Sequence, residues 1–167
     1  MRCERGTERP PTSAPLAPLA LTIAAPAQPR LLKRKLSLTA AFHQIDIMGV
    51  AHNAAYFLWF EAGRMEILFE VLPLDEALEL GVAMPVVQNV CHYRKPVRFG
   101  MPLQLHTTHR IQSAYEGKLI FKHYLLHEKL RMELAWGETV VTLVDQRTNQ
   151  WVKEWPEAVW RKYQALK

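Results

Sequence analysis

The sequence predicts an α+β domain in which an antiparallel sheet covers one long, almost wholly apolar helix. Two observations carry this. Residues 54 to 71 (AAYFLWFEAGRMEILFEV) contain no breaker except Gly63 and are apolar around most of the helical circumference, the pattern of a helix buried on nearly every side. Four strand candidates then follow in succession, roughly 84 to 98, 102 to 113, 118 to 129 and 131 to 145, separated by FGMP, AYEG and a tight turn near Leu130. Long consecutive strands joined by tight turns pair antiparallel, and their apolar face needs a cover.

The elements follow in order. Residues 1 to 30 hold most of the prolines in a background of Ala, Leu and Thr, which supports neither a helix nor an interior strand and predicts a disordered extension. A secretory signal is the rival reading of this segment, because Arg2, Arg5 and Arg9 precede an apolar stretch. Glu4, Glu8, Pro15 and Pro18 interrupt both its charge and its apolar core. From Leu31 a domain spanning 31 to 167 begins. Leu36, Leu38, Ala40 and Phe42 alternate with Lys35, Ser37, Thr39 and Ala41, the period of a half-buried first strand. In the last long strand Met132, Leu134, Trp136, Val140, Thr142 and Val144 share one face, and Ala135, Gly137, Val141 and Leu143 the other. Apolar residues on both faces suit a central strand. DQRTN reads as a turn, and Pro156 opens a terminal helix whose Trp155, Val159 and Tyr163 fall on one side.

Composition narrows the function. A chain of 167 residues, 49% apolar and 22% charged, suits one ordinary globular unit. No apolar run reaches the ~18 residues of a spanning helix, so no membrane partner is expected. The net charge of +5 invites nucleic acid, but the basic residues are scattered and serve a polyanionic small molecule equally well. Cys3 and Cys91 are too few and too distant for a disulfide framework, and a reducing cytoplasm is the expected compartment. None of the seven histidines forms an H-x-x-x-H or H-E-x-x-H pair on a predicted helix, so neither a metal nor another cofactor is expected.

The chemistry concentrates between the first strand and the helix, in DIMGVAHNAAY, Asp46 to Tyr56. Asp46 reads as a loop or capping residue or as a reactive group. A carboxylate entering a buried helix is costly unless hydrogen bonds or a use offset it. Asn53 is the expected helix cap, which leaves Asp46 free. Gly49 permits a tight backbone, and the first helix amides, near Asn53 to Ala55, point back at the loop, where they stabilise negative charge. Thioester hydrolysis needs this pairing: one group to attack or to deprotonate water, another to polarise the carbonyl oxygen.

The string FHQIDIMGVAHNAAYFLWFEAGR, Phe42 to Arg64, resembles the signature D-x-x-G-h-v-h-x-x-x-Y-h-x-h-h-E-x-x-R of the 4-hydroxybenzoyl-CoA thioesterase-like branch of hotdog-fold thioesterases, matching at Asp46, Gly49, His52, Tyr56, Glu61 and Arg64. YRKPVRFGMPLQLHT and AWGETVVTLVDQRTNQ resemble later strands of that family, so the resemblance covers about residues 33 to 155. It implies a hotdog fold, a five-stranded antiparallel sheet wrapped around a long central helix, and an acyl-CoA thioester hydrolase. Asp46 then takes the place of the catalytic carboxylate, and the Asn53 amide that of the donor to the thioester oxygen. His52 and Tyr56 fall where family members line the acyl pocket or orient the carboxylate, or else are packed aromatics. Glu61 and Arg64 read as an ion pair. Gly63 replaces the family's usual Ala, loosening the helix by ~1 kcal/mol unless close packing needs it. The family implies a homodimer or homotetramer joined edge to edge. Arg94, Lys95 and Arg98 could hold the phosphates of CoA, or are simply solvated; acyl carrier protein is the alternative thiol carrier.

Two rival functions remain. Hotdog dehydratases and hydratases typically carry G-H-F-P or D-x-N-P-x-H, neither of which occurs here. A catalytically silent acyl-binding subunit would not need the intact Asp46 and Gly49. The aromatic and basic residues of the C-terminal segment, which also resemble a nucleic-acid surface, read instead as an amphipathic helix.

Overall fold

The computed structural model describes residues 31–110 and 117–165. The expected disordered extension, Cys3 and residues 111–113 of the expected second hairpin lie outside the described residues. Strands β1 (Leu31–Thr39), β2 (Val82–Ala83), β3 (Val86–Tyr93), β4 (Pro102–Arg110), β5 (Lys118–His127), β6 (Glu133–Thr142), β7 (Val144–Asp145) and β8 (Gln150–Trp151) combine with helices α1 (Asn53–Val71), α2 (Leu74–Leu80) and α3 (Glu157–Ala165). A five-stranded sheet has the order β1-β4-β5-β6-β3, with every pair antiparallel. The architecture is α+β, as expected.

The alternation read in β1 sets the geometry. Leu32, Leu36 and Leu38 turn inward while Lys33, Lys35, Ser37 and Thr39 are exposed. Phe42 departs from the expectation: the chain leaves the strand at Thr39 and enters a 3-10 turn over Phe42–Gln44, so Phe42 is 80% exposed and stacks edge-on with Phe99. β6 lies between β5 and β3, and its end is buried on both faces, as its two apolar faces demand.

The 19-residue α1 packs on the sheet face formed by β1, β4, β5 and β3. Two glycines permit the close approach. A Cβ on Gly63 would lie 2.2 Å from Thr107 Oγ1 and 2.6 Å from Leu105 Cδ2, and one on Gly137 of β6 would lie 2.4 Å from both Phe60 Cε2 and the Val90 carbonyl. Gly63 is therefore a packing requirement, and its weak helix propensity is offset by contact. Under this helix, Thr107 Oγ1 is 3.1 Å from His123 Nδ1, and Phe60 stacks flat on the His123 ring at 4.6 Å.

Two expected strands are altered, one shortened and one divided. The one placed at 84 to 98 is shortened to β3, preceded by the separate two-residue β2, and stops at Tyr93, because the Arg94 and Lys95 amides both turn to the Leu134 carbonyl and end the ladder. The one placed at 131 to 145 breaks after Thr142, and β7 joins β2 and β8 in a second sheet of order β2-β7-β8. That small sheet, α2 and α3 close the far end. There the amphipathic reading of α3 holds: Trp155, Val159 and Tyr163 are buried against Ile67, Val71 and Phe121. Buried rings cannot serve as stacking faces for bases.

Candidate active site

Residues 45–53 fold into a compact loop. Ile45 and Ala51 form an isolated antiparallel bridge, the Asp46 amide donates to the Val50 carbonyl at 2.8 Å, and Gly49, at φ +73°, donates to the Asp46 carbonyl at 3.0 Å. Only a residue tolerant of positive φ makes that turn without strain. The Ala51 amide then bonds the Val97 carbonyl at 2.8 Å, fixing the loop to the segment after β3.

Asp46 is half-buried. Its Oδ1 accepts the amides of Met48 at 2.8 Å and Val50 at 3.4 Å, while Oδ2 has no hydrogen-bond partner among the described residues. One oxygen thus holds the loop, as expected of a loop residue, and the other is without a partner among the described residues.

The helix cap differs from the expectation. His52 is the N-cap, its Nδ1 accepting the Ala54 amide at 3.2 Å, and Asn53 is the first helical residue. The imidazole occupies the place a shorter polar side chain usually takes. Its own amide is held by the Gln44 carbonyl at 2.8 Å. The Asn53 amide consequently remains without an acceptor among the described residues, at the positive end of α1.

A cleft of ≈ 320 Å³ brings together Asp46, Asn53, Tyr56, Arg94 and Lys95 with Val50, Tyr93 and Pro96. Gly49 shapes the loop and His52 caps the helix, but neither lines the cleft. Arg94 is half committed, its Nε lying 3.8 Å from Glu133, and the Lys95 side chain is exposed.

One reading covers this geometry. Residues 40–162 match the family model of the thioesterase-like superfamily. The chain belongs to that superfamily. It is 31% identical over 74 residues, 44% of its length and 54% of the relative's, to the Bacillus subtilis (strain 168) protein named "Putative acyl-CoA thioesterase YneP". The chain spans about half the length of the curated relatives it matches. Among solved structures, the hypothetical protein TT1821 from Thermus thermophilus superposes with TM-score 0.67 at 26% identity, over 80% of this chain and 98% of that one. A DHNA-CoA thioesterase from Staphylococcus aureus superposes with TM-score 0.68 at 19% identity, over 80% and 91%, a likeness of fold.

Within this member of the superfamily, Tyr93 is the cleft residue that sequence reasoning overlooked. Its ring meets Tyr56 edge-on at 4.8 Å, and its hydroxyl donates to the Asn53 carbonyl at 3.4 Å, spanning from β3 to the start of α1. Desolvation, and next the neighbouring Cys91, push the Tyr93 phenol up to about 12, so it stays a donor at neutral pH. Burial likewise raises the Tyr56 phenol. The available signal was position alone, since Tyr93 ends the strand that runs beside the loop. Glu61 and Arg64 do form the anticipated ion pair, at 3.3 Å, one turn beyond the cleft.

Proposed function

We propose that this protein is an acyl-CoA thioester hydrolase of hotdog architecture, releasing free CoA and a carboxylic acid, with α1 as the central helix of a single domain over residues 31 to 167. The observation that carries the reading is a half-buried carboxylate with one free oxygen, Asp46 Oδ2, sharing a cleft with the unpartnered Asn53 amide at the start of α1. Superfamily membership and the acyl-CoA thioesterase name of the Bacillus relative support it.

In this reading the Asn53 N–H donates to the thioester carbonyl oxygen and stabilises the charge that develops there. Asp46 Oδ2 either attacks the carbonyl carbon or takes a proton from the water that does. The carbon–sulfur bond breaks, CoA leaves as its thiol, and water supplies the oxygen of the acid. Gly49 sets the direction of the carboxylate, His52 orients the helix end, and Tyr56 and Tyr93 form the wall for the acyl group. Lys95, with Arg94 second because Glu133 shares its charge, meets the CoA phosphates. Acyl carrier protein is the alternative carrier.

The open edge of β3, where Val86, Val87 and Tyr93 are exposed, supports assembly into an oligomer. A second copy pairing there in a homodimer or homotetramer would cover this edge beside the cleft. Among the described residues no helix is long and apolar enough to cross a membrane, and we place the protein in the cytoplasm.

Thiol release from short-chain, long-chain and aromatic acyl-CoAs tests the reading. Turnover of at least one class is expected, and its identity defines the acyl pocket. No release from any acyl-CoA, with the chain folded, contradicts the CoA hydrolase and favours a silent acyl-binding subunit or acyl carrier protein as carrier.

A further inference from the structure

A second cavity lies at the opposite end of α1 and shares no lining residue with the Asp46 cleft. It has a volume of ≈ 260 Å³ and runs between the C-terminal half of α1, α2 and β2. Its walls are largely apolar, formed by Met65, Leu68, Leu72, Ala77, Leu78 and Met84, and its polar lining is Arg64 with Glu61 and Gln146. Phe69, Leu74 and Leu78 leave its rim apolar and open to solvent, at 48%, 64% and 61% exposure.

Arg64 is the unusual feature. It is only 6% exposed, and its Nε is buried without a hydrogen-bond partner among the described residues. Its one ion pair is the 3.3 Å contact from the guanidinium to Glu61, a side chain 56% exposed to water. A buried guanidinium with an unsatisfied donor is costly. Burial pulls its pKa below the ordinary arginine value, with Glu61 compensating only in part. His123, on the sheet side, is held neutral at pH 7 by burial and offers the cation no negative charge.

We infer that this groove is a second ligand site, for an unbranched-chain carboxylate, whose head pairs with Arg64 and whose alkyl tail lies along Leu68, Leu72, Ala77 and Leu78. A planar carboxylate matches the end of the guanidinium, pairing with its terminal nitrogens. Glu61 can swing into solvent as the ligand enters. An apolar protein surface would bury the cation further without satisfying it, whereas an anionic amphiphile satisfies both the charge and the walls. The cavity lies just under the roughly 300–1,000 Å³ range of small-molecule pockets, which suits a single narrow chain. Because the two cavities are separate, a fatty acid held here leaves the Asp46 cleft open.

Titration of the full chain with carboxyl-labelled decanoate, followed by carbon-13 NMR and calorimetry, with decanol as the uncharged control, tests the inference. The expected result is saturable decanoate binding, weakened at least ~tenfold by Arg64→Met and by Leu78→Glu, unchanged in Asp46→Asn, and at least ~tenfold weaker for decanol. Leu78 is solvent-exposed, so Leu78→Glu decides the matter if Arg64→Met fails to fold. No saturable binding, equal binding of decanol, or binding lost in Asp46→Asn but kept in Leu78→Glu would overturn it. Asp46→Asn also separates this site from the proposed hydrolase, since decanoate binding is independent of turnover.

Discussion

The two halves of α1 share one helix and one sheet but differ in what their polar groups do. The first turn leaves Asp46 Oδ2, the Asn53 amide and Lys95 unsatisfied beside an open cleft. Beyond Phe60 the polar groups are mostly paired, some enclosed and some at the surface. His109 bonds the Ile120 carbonyl through Nδ1 at 2.7 Å and Tyr163 of α3 through Nε2. Arg34 of β1 pairs with Glu70, and Lys162 of α3 pairs with Glu76 of α2. The contrast lies in which groups the packing leaves without partners, and among the described residues Arg64 Nε and His123 Nε2 are the buried atoms that break the pattern of the enclosed half.

If that division is sound, substitutions in the enclosed region move stability and those in the first turn move turnover. Phe60→Ala removes the ring stacked on His123 and filling the space over Gly137. It should cost ~3–5 kcal/mol in urea unfolding. Acid should act next. Burial lowers His109 to about 4 and His123 to about 3 from the ordinary 6.5. Both are therefore neutral in the fold while the unfolded chain takes up protons. Their contribution is fully present above pH 6.5 and is lost as pH falls toward 4, ~5 kcal/mol in total by pH 4.5. Unfolding curves from pH 7.5 down to 4.5 read it directly, and flat stability over that range would contradict the buried neutral state.

Gly63→Ala comes third. The added methyl gains helix propensity but drives into Thr107 and Leu105, for a net loss of ~1–3 kcal/mol. A stabilised variant would mean that the helix shifts freely on the sheet. The smallest effect belongs to His52→Ala, which removes an exposed cap worth ~0.5–1 kcal/mol. It should lower the unfolding midpoint slightly while reducing kcat/KM through disorder of the Asn53 amide. A larger change in stability than in turnover would recast His52 as purely structural.

Much of this could be read from residue order because it is local. The alternation in β1, the all-round apolar α1 and the central character of β6 each follow from a period within one segment. The Asp46 to Tyr56 string likewise makes most of its loop hydrogen bonds within a few residues, the Ala51 amide to Val97 being the exception. What escaped depended on distant pairing. Gly63 is explained only by Thr107 and Leu105 of β4, the former paired with His123 in the β4–β5 register. Tyr93 enters the cleft because β3 ends beside the loop. The two-residue strands β2, β7 and β8 are too short to show any period, and His52 displaced Asn53 as the cap because the loop hydrogen bonds place its imidazole over the Ala54 amide.

The central claim is that the free oxygen of Asp46 performs the chemistry. Its most direct test is the rate of thiol release by Asp46→Asn against the unaltered protein, on whichever acyl-CoA is turned over. The amide keeps an Oδ1 acceptor for the Met48 and Val50 amides, so the loop and the unfolding midpoint should hold. The account predicts that kcat falls by about two orders of magnitude or more with little change in KM. An Asn variant that is folded and as active as the original would contradict it.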